Sequence, residues 1–156
     1  MPLSAQELTR YSRHILLPEV GKAGQEKLRS AKVAVVGLGG LGCPAALYLA
    51  AAGIGTLGLI DGDRAELSNL QRQILHFSAD LGRPKVVSAA EKLGALDPGI
   101  QVVRHEMRLD SGNALPILGG YDLVLEGTDN FSAKGFGVDH RVVHIVVSPT
   151  KYVVCF

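Results

Sequence analysis

Residues 32–42, KVAVVGLGGLG, run an unbroken apolar stretch straight into three glycines, Gly37, Gly39 and Gly42, in G-x-G-x-x-G spacing. Few folds accept that junction. A short apolar run without alternation suits a strand buried on both faces of a parallel sheet. Pro44 lies just inside the helix that follows, where a missing N–H costs little, and Gly53 marks its end. The chain therefore passes from strand to helix within a few residues. Glycines at that turn let the backbone approach a phosphate at the positive end of the helix. Asp61 comes about twenty residues later, at the end of the apolar run TLGLID, where a carboxylate can accept hydrogen bonds from ribose hydroxyls. A nucleotide is implied, but neither its base nor its number of phosphates.

The rest of the chain repeats the strand and helix alternation. Ser4 followed by Glu7 is a capping-box signature for a first helix reaching Arg10 or Tyr11, and KAGQEKLRSA reads as a second. TLGLID, IQVVRHEMRL and YDLVLEGTDN read as further strands, separated by a helix over RPKVVSAAEKLGALDP and a helical turn at NALPIL. Val86, Ala89, Ala90 and Leu93 share one face of that helix. VVHIVV and KYVVCF look like two more strands. Such alternation predicts an α/β, Rossmann-like, doubly wound and mostly parallel sheet with helices on both faces, in one domain over residues 1–156. Residues 1–30 are expected to form N-terminal helices, and residues 135–156 a divergent, shortened C-terminal part.

At 156 residues, 47% of them apolar, the chain is long enough for one respectable core. A net charge of +1 and no long basic block argue against a nucleic-acid-wrapping surface. No run is apolar enough to span a bilayer, and the charged N-terminus does not look like a signal peptide, so a cytoplasmic location is expected. The two cysteines, Cys43 and Cys155, suit a reducing compartment. Cys43 falls at a helix N-terminus, which can lower a thiol pKa, but inside a loop whose packing accounts for it.

The segment after Asp61 carries more polar donors than a dinucleotide needs: Ser68, Asn69, Gln71, Arg72, Gln73 and Lys85. An isolated Lys or Arg is usually solvated. Two cations aimed at one sheet end suit a triphosphate, because each phosphoryl group adds charge to neutralise. Lys85 follows Pro84 at a helix N-terminus, an unfavourable place for a cation unless an anion is near. Asp129, in EGTDN at the end of the fourth strand, reads as a magnesium ligand facing those phosphates, or more plainly as a loop Asp that caps the next helix.

RYSRHILLPEVG, GLGGLG, LIDGD, LSNLQRQILH, GRPK and GTDN, in this order and spacing, resemble the MoeB/ThiF/HesA adenylyltransferases, kin of the ubiquitin-activating enzymes. The resemblance covers about the first 134 residues. It implies a homodimer that uses ATP and Mg2+ to adenylate the C-terminal glycine of a ubiquitin-like sulfur carrier protein ending in Gly-Gly. By that resemblance Gly37, Gly39, Gly40 and Gly42 form the phosphate loop and Asp61 holds the ribose. Ser68, Asn69, Leu70, Gln71 and Arg72 line the nucleotide, Lys85 meets the phosphates, and Asp129 with Asn130 sits at the metal and reaction centre. Arg13 would reach the ATP of the neighbouring subunit. Arg72, Lys85, Arg13 and Asp129 are thus the expected catalytic set.

The chain also departs from the pattern. It has no C-x-x-C, so the structural zinc of many relatives is not expected, and Lys134 stands where an arginine is usual. A shortened nucleotide-binding homologue without turnover and a nicotinamide-dependent oxidoreductase are the other readings. Titrating ATP–Mg2+ and, separately, NAD while following the thermal midpoint distinguishes them: ATP should raise it and NAD should not, since only a ligand of the native state stabilises.

Overall fold

The computed structural model describes residues 2–128, 141–148 and 151–154, the last two segments by their backbone. Its elements run α1 (Ala5–Arg10), α2 (Ser12–Ile15), α3 (Gly21–Ser30), β1 (Lys32–Val36), α4 (Gly42–Ala51), β2 (Thr56–Ile60), α5 (Lys85–Leu96), β3 (Gln101–His105), α6 (Ala114–Leu118), β4 (Leu123–Glu126), β5 (Arg141–Ser148) and β6 (Lys151–Val154). Single 3-10 turns at Leu67–Asn69 and Ser78–Asp80 interrupt the long connection from β2 to α5.

The sheet order is β3-β2-β1-β4-β5-β6. β1 to β5 pair in parallel and β6 closes the edge antiparallel to β5. This is the doubly wound arrangement that the alternation predicts, with order reversing between β1 and β4. Successive side chains of a strand face opposite sides. Accordingly Val33, Val35, Leu57 and Leu59 pack with Ala46 and Ala50 of α4 and Val86, Ala89 and Leu93 of α5. Ala34, Val36, Ile60 and Val124 pack with Ala114 and Leu118 of α6 on the other face.

The N-terminal helices dock at the opposite sheet end from the glycine loop. Ser4 and Glu7 complete the capping box in both directions, and Glu7 also pairs with Arg29 of α3 at 3.0 Å. The Tyr11 hydroxyl donates to Asp97 at 2.5 Å, tying this segment to the end of α5. Among the described residues no helix is long and apolar enough to cross a membrane.

One element is shorter than its apolar pattern. β3 stops at His105, where Ile60 is its last partner and Asp61 N–H caps the ladder on the His105 carbonyl. Among the described residues β3 has only β2 beside it in the sheet, so when β2 ends, no neighbouring strand holds residues 106–109 extended. They form a loop at the carboxyl end instead.

Gly58, mid-strand in β2, lies beneath the ring of Tyr121: a Cβ built there would come within 2.3 Å of the phenol. The Tyr121 hydroxyl is 3.0 Å from His105 Nε2, so the ring has little room to yield. Gly58→Ala should therefore destabilise the fold by about 1–3 kcal/mol through overpacking, measured by chemical denaturation. Combined with Tyr121→Leu, its cost should fall well below the sum of the two single changes.

Candidate functional site

A cavity of about 780 Å³ opens at the carboxyl ends of β1, β2 and β4. That is where parallel sheets take their ligands. Its floor is the glycine loop after β1; its walls are the connection from β2 to α5, the start of α5, residues 107–109, and Gly127 with Thr128.

Two glycines of the loop are required by its geometry. Gly37 has φ +85°, a left-handed conformation that side chains disfavour. At Gly42 a Cβ would land 1.7 Å from the Gly37 carbonyl oxygen, so the loop closes on the start of α4 only without one. Among the described residues, the backbone N–H groups of Gly39, Gly40 and Leu41 make no hydrogen bond. All three residues line the cavity. Buried or half-buried amides are normally paired, and a row of unpaired ones beside a helix N-terminus is suited to an anion.

Asp61 fixes that loop. Its Oδ2 accepts the Leu38 N–H and its Oδ1 the Asp63 N–H, both at 2.7 Å. A carboxylate oxygen can accept more than one hydrogen bond, so both retain capacity toward the cavity.

Two cations face the same space. Arg72 donates to the Ser68 carbonyl at 3.1 Å, its stem lies against Gly40, and among the described residues it has no ion pair. Lys85 is 6% exposed and is the first residue of α5, beside that helix's positive pole. Its nearest carboxylate is Asp63, at 3.7 Å. A buried ammonium with so distant a partner is costly unless an anion joins it. Asp63 is shared: Arg108 holds it at 2.8 Å, and this hydrogen bond, followed by the Lys85 charge, keeps its pKa below the usual carboxylate range.

Of the residues expected at the site, Gly37, Gly39, Gly40, Asp61, Asn69, Arg72 and Lys85 line the cavity. Gly42 supports the loop from behind. Ser68, Leu70 and Gln71 belong to the same connection but are not in the cavity wall, and Arg13 sits exposed on α2, away from it. Asp129 and Asn130 lie outside the described residues. Among the described residues no group of three His, Cys, Asp or Glu side chains could hold a metal ion. Cys43 is fully buried, and burial pushes its thiol up to about 11, away from the thiolate that a reactive cysteine needs.

The cavity also holds Asp63, Met107, Arg108 and Leu109, which the sequence patterns did not assign. IDGD shows a second carboxylate, yet nothing in its spacing says that it would anchor two cations. Met107 to Leu109 were hidden by the apolar run that reads as strand.

Residues 11–145 match the ThiF family. This chain belongs to that family. MoeZ of Mycobacterium tuberculosis, a probable adenylyltransferase/sulfurtransferase, is 51% identical over 132 residues, 85% of this chain and 34% of that protein. A sulfur carrier protein adenylyltransferase of Thermus thermophilus is 48% identical over 134 residues, 86% of this chain and 49% of that one. The chain thus spans about a third to a half of the length of these ThiF-family relatives. Among solved structures, the E. coli tRNA N6-threonylcarbamoyladenosine dehydratase TcdA, in complex with ATP, superposes with a TM-score of 0.84 at 25% identity over 96% of this chain and 66% of that chain. E. coli MccB with AMPCPP and MccA gives 0.77 at 28% identity over 88% of this chain and 43% of that chain.

The placement of Lys85 separates stability from binding. Lys85→Met removes a buried charge from a positive helix end, so the thermal midpoint of the ligand-free protein should stay level or rise. ATP affinity, by isothermal titration, should fall by about ten-fold or more.

Proposed function

We propose that this chain binds ATP with Mg2+ in the cavity and transfers AMP to the C-terminal glycine of a ubiquitin-like sulfur carrier protein ending in Gly-Gly, releasing pyrophosphate. The observation that carries the reading is the convergence of three unbonded loop amides with Arg72 and the buried Lys85 on one space. A two-phosphate dinucleotide has less use for both cations. The relatives named as sulfur-carrier adenylyltransferases support the transfer, and the ATP and AMPCPP complexes of TcdA and MccB support the nucleotide. The setting would be molybdenum cofactor, thiamine or thiolation chemistry in the cytoplasm, with the chain acting as a homodimer.

The reaction needs no protein nucleophile. An oxygen of the carrier carboxylate attacks the α-phosphorus, the bond from that phosphorus to the bridging oxygen breaks, and pyrophosphate leaves with the electron pair. The protein's task is to align two anions that repel each other and to stabilise the charge that spreads between them. Arg72 and Lys85 meet that charge, Asp61 with Asn69 holds the sugar, and Gly39, Gly40 and Leu41 present their amides to phosphate oxygens. Gly37 and Gly42 shape that loop. Ser68, Leu70, Gln71 and Asn130 complete the nucleotide contacts. Mg2+ held by Asp129 would supply Lewis acidity at the phosphoryl oxygens. Arg13, exposed on α2, would serve the site of the second subunit.

Exchange of labelled pyrophosphate into ATP in the presence of a Gly-Gly-tailed carrier tests the whole reading. Asp129→Ala should abolish exchange while the fold survives, and exchange at the wild-type rate removes Asp129 from the mechanism. Arg13→Ala should also be inactive. Mixing it with Asp129→Ala should recover about a quarter of wild-type exchange, because only mixed dimers then hold one complete site. ATP binding without exchange in the wild-type chain would assign it to nucleotide binding alone.

A further inference from the structure

His76 ends the run NLQRQILH, and none of the chemistry above uses it. It is 2% exposed and lies under the glycine loop. Its Nε2 is 3.1 Å from the Leu38 carbonyl oxygen. A carbonyl only accepts, so the proton is on Nε2. Nδ1, 3.0 Å from Ser88 Oγ, then accepts from that hydroxyl, whose other acceptor, the Leu75 carbonyl, is farther away at 3.4 Å, and which itself accepts from Lys92 Nζ at 3.1 Å.

The chain of contacts ends on a firm anchor. Lys92 pairs with Asp80 at 2.5 Å. Burial works against the Asp80 charge, but the hydrogen bonds from Lys92 and the Phe77 N–H outweigh it and hold its pKa to about 2. Burial keeps the His76 pKa below its ordinary value, and the charges of Lys85 and Lys92 push the same way. With Nε2 donating to the Leu38 carbonyl and Nδ1 accepting from Ser88, the two neighbours select one neutral tautomer.

The consequence falls on the loop. Leu38 is held from both sides: its N–H by Asp61 and its carbonyl by His76, with the Cys43 thiol also donating to that oxygen at 3.2 Å. In a trans peptide the carbonyl and the following N–H point in opposite directions. Drawing the Leu38 carbonyl toward His76 turns the Gly39 N–H away from it, on the side where Gly39 lines the cavity. Glycine at 39 makes the opposite peptide orientation cheap. That orientation would aim a carbonyl oxygen at any anion in the cavity.

We propose that His76 is a positioning residue of the nucleotide site, orienting the Leu38–Gly39 peptide so that the Gly39 N–H meets a phosphate oxygen. This rests on the nucleotide reading above. The test compares ATP–Mg2+ with adenosine, which has the same base and sugar but no phosphate, by isothermal titration of the full chain. His76→Leu should weaken ATP by about ten-fold while changing adenosine by less than about two-fold. His76→Gln, whose side-chain amide can still donate to the Leu38 carbonyl, should recover most of the loss. Ser88→Ala, which releases Nδ1 but keeps the ring, should give a smaller loss also confined to ATP, and it carries the test if His76→Leu does not fold. Equal weakening of ATP and adenosine, or unaltered ATP binding in both His76→Leu and Ser88→Ala, overturns the assignment. A wild-type chain that takes up no ATP overturns the nucleotide reading itself, an outcome distinct from either.

Discussion

The hydrogen bond from Leu38 N–H to the Asp61 carboxylate joins the ends of the neighbouring strands β1 and β2, and the geometry of the cavity follows from it. A loop with four glycines has many conformations to lose, and an unanchored one would spend most of its time in orientations useless for binding. A charge-assisted bond of this kind contributes about 1.5–3 kcal/mol, enough to select one conformation among several. Asp61 also gathers the Asp63 N–H, so the carboxylate that positions the loop positions the acid shared by Lys85 and Arg108. One side chain at the end of β2 thereby sets both the neutral donors and the cations of the site.

The architecture was almost wholly legible in the amino-acid order, because strand burial, helix caps and glycine placement are local signals. The capping box at Ser4, the apolar run of β1, the stop at Gly53 and even β5 and β6 are where their patterns predict. The short helix α2 has no signature in the sequence, since four residues carry no periodicity. The apolar pattern overstates β3 for a different reason: its end is set by its neighbour β2, and pairing partners are not written in a strand's own residues. The lining of the cavity was legible wherever a motif marks it, as at Gly37, Gly39, Gly40, Asp61, Asn69, Arg72 and Lys85. It was opaque where a residue contributes only through tertiary contact. Asp63 matters because Arg108 reaches it from 45 positions along the chain, and no spacing rule encodes that meeting.

The electrostatics of the cavity explain why its residues look poorly chosen for folding. Lys85 sits at the positive end of α5, Arg72 has no carboxylate among the described residues, and three amides face open space. Each is unfavourable in an empty site, and each becomes favourable when negative charge enters. Stability lost at these positions is supplied by the two apolar layers, where Leu57, Leu59, Val86 and Leu93 on one face and Ile60, Val124 and Leu118 on the other exclude water completely or nearly so. The sheet thus tolerates a charged crevice at one end because its interior is well packed.

The contact of Gly58 with the Tyr121 ring has a historical consequence. Neither position can drift alone: a methyl group on the strand collides with the phenol, and a smaller ring partner leaves a hollow above a bare backbone. Across descendants of this sequence the two sites should change hands together, glycine travelling with the aromatic and a bulkier strand residue with a slighter neighbour, so that substitution at one is the record of substitution at the other.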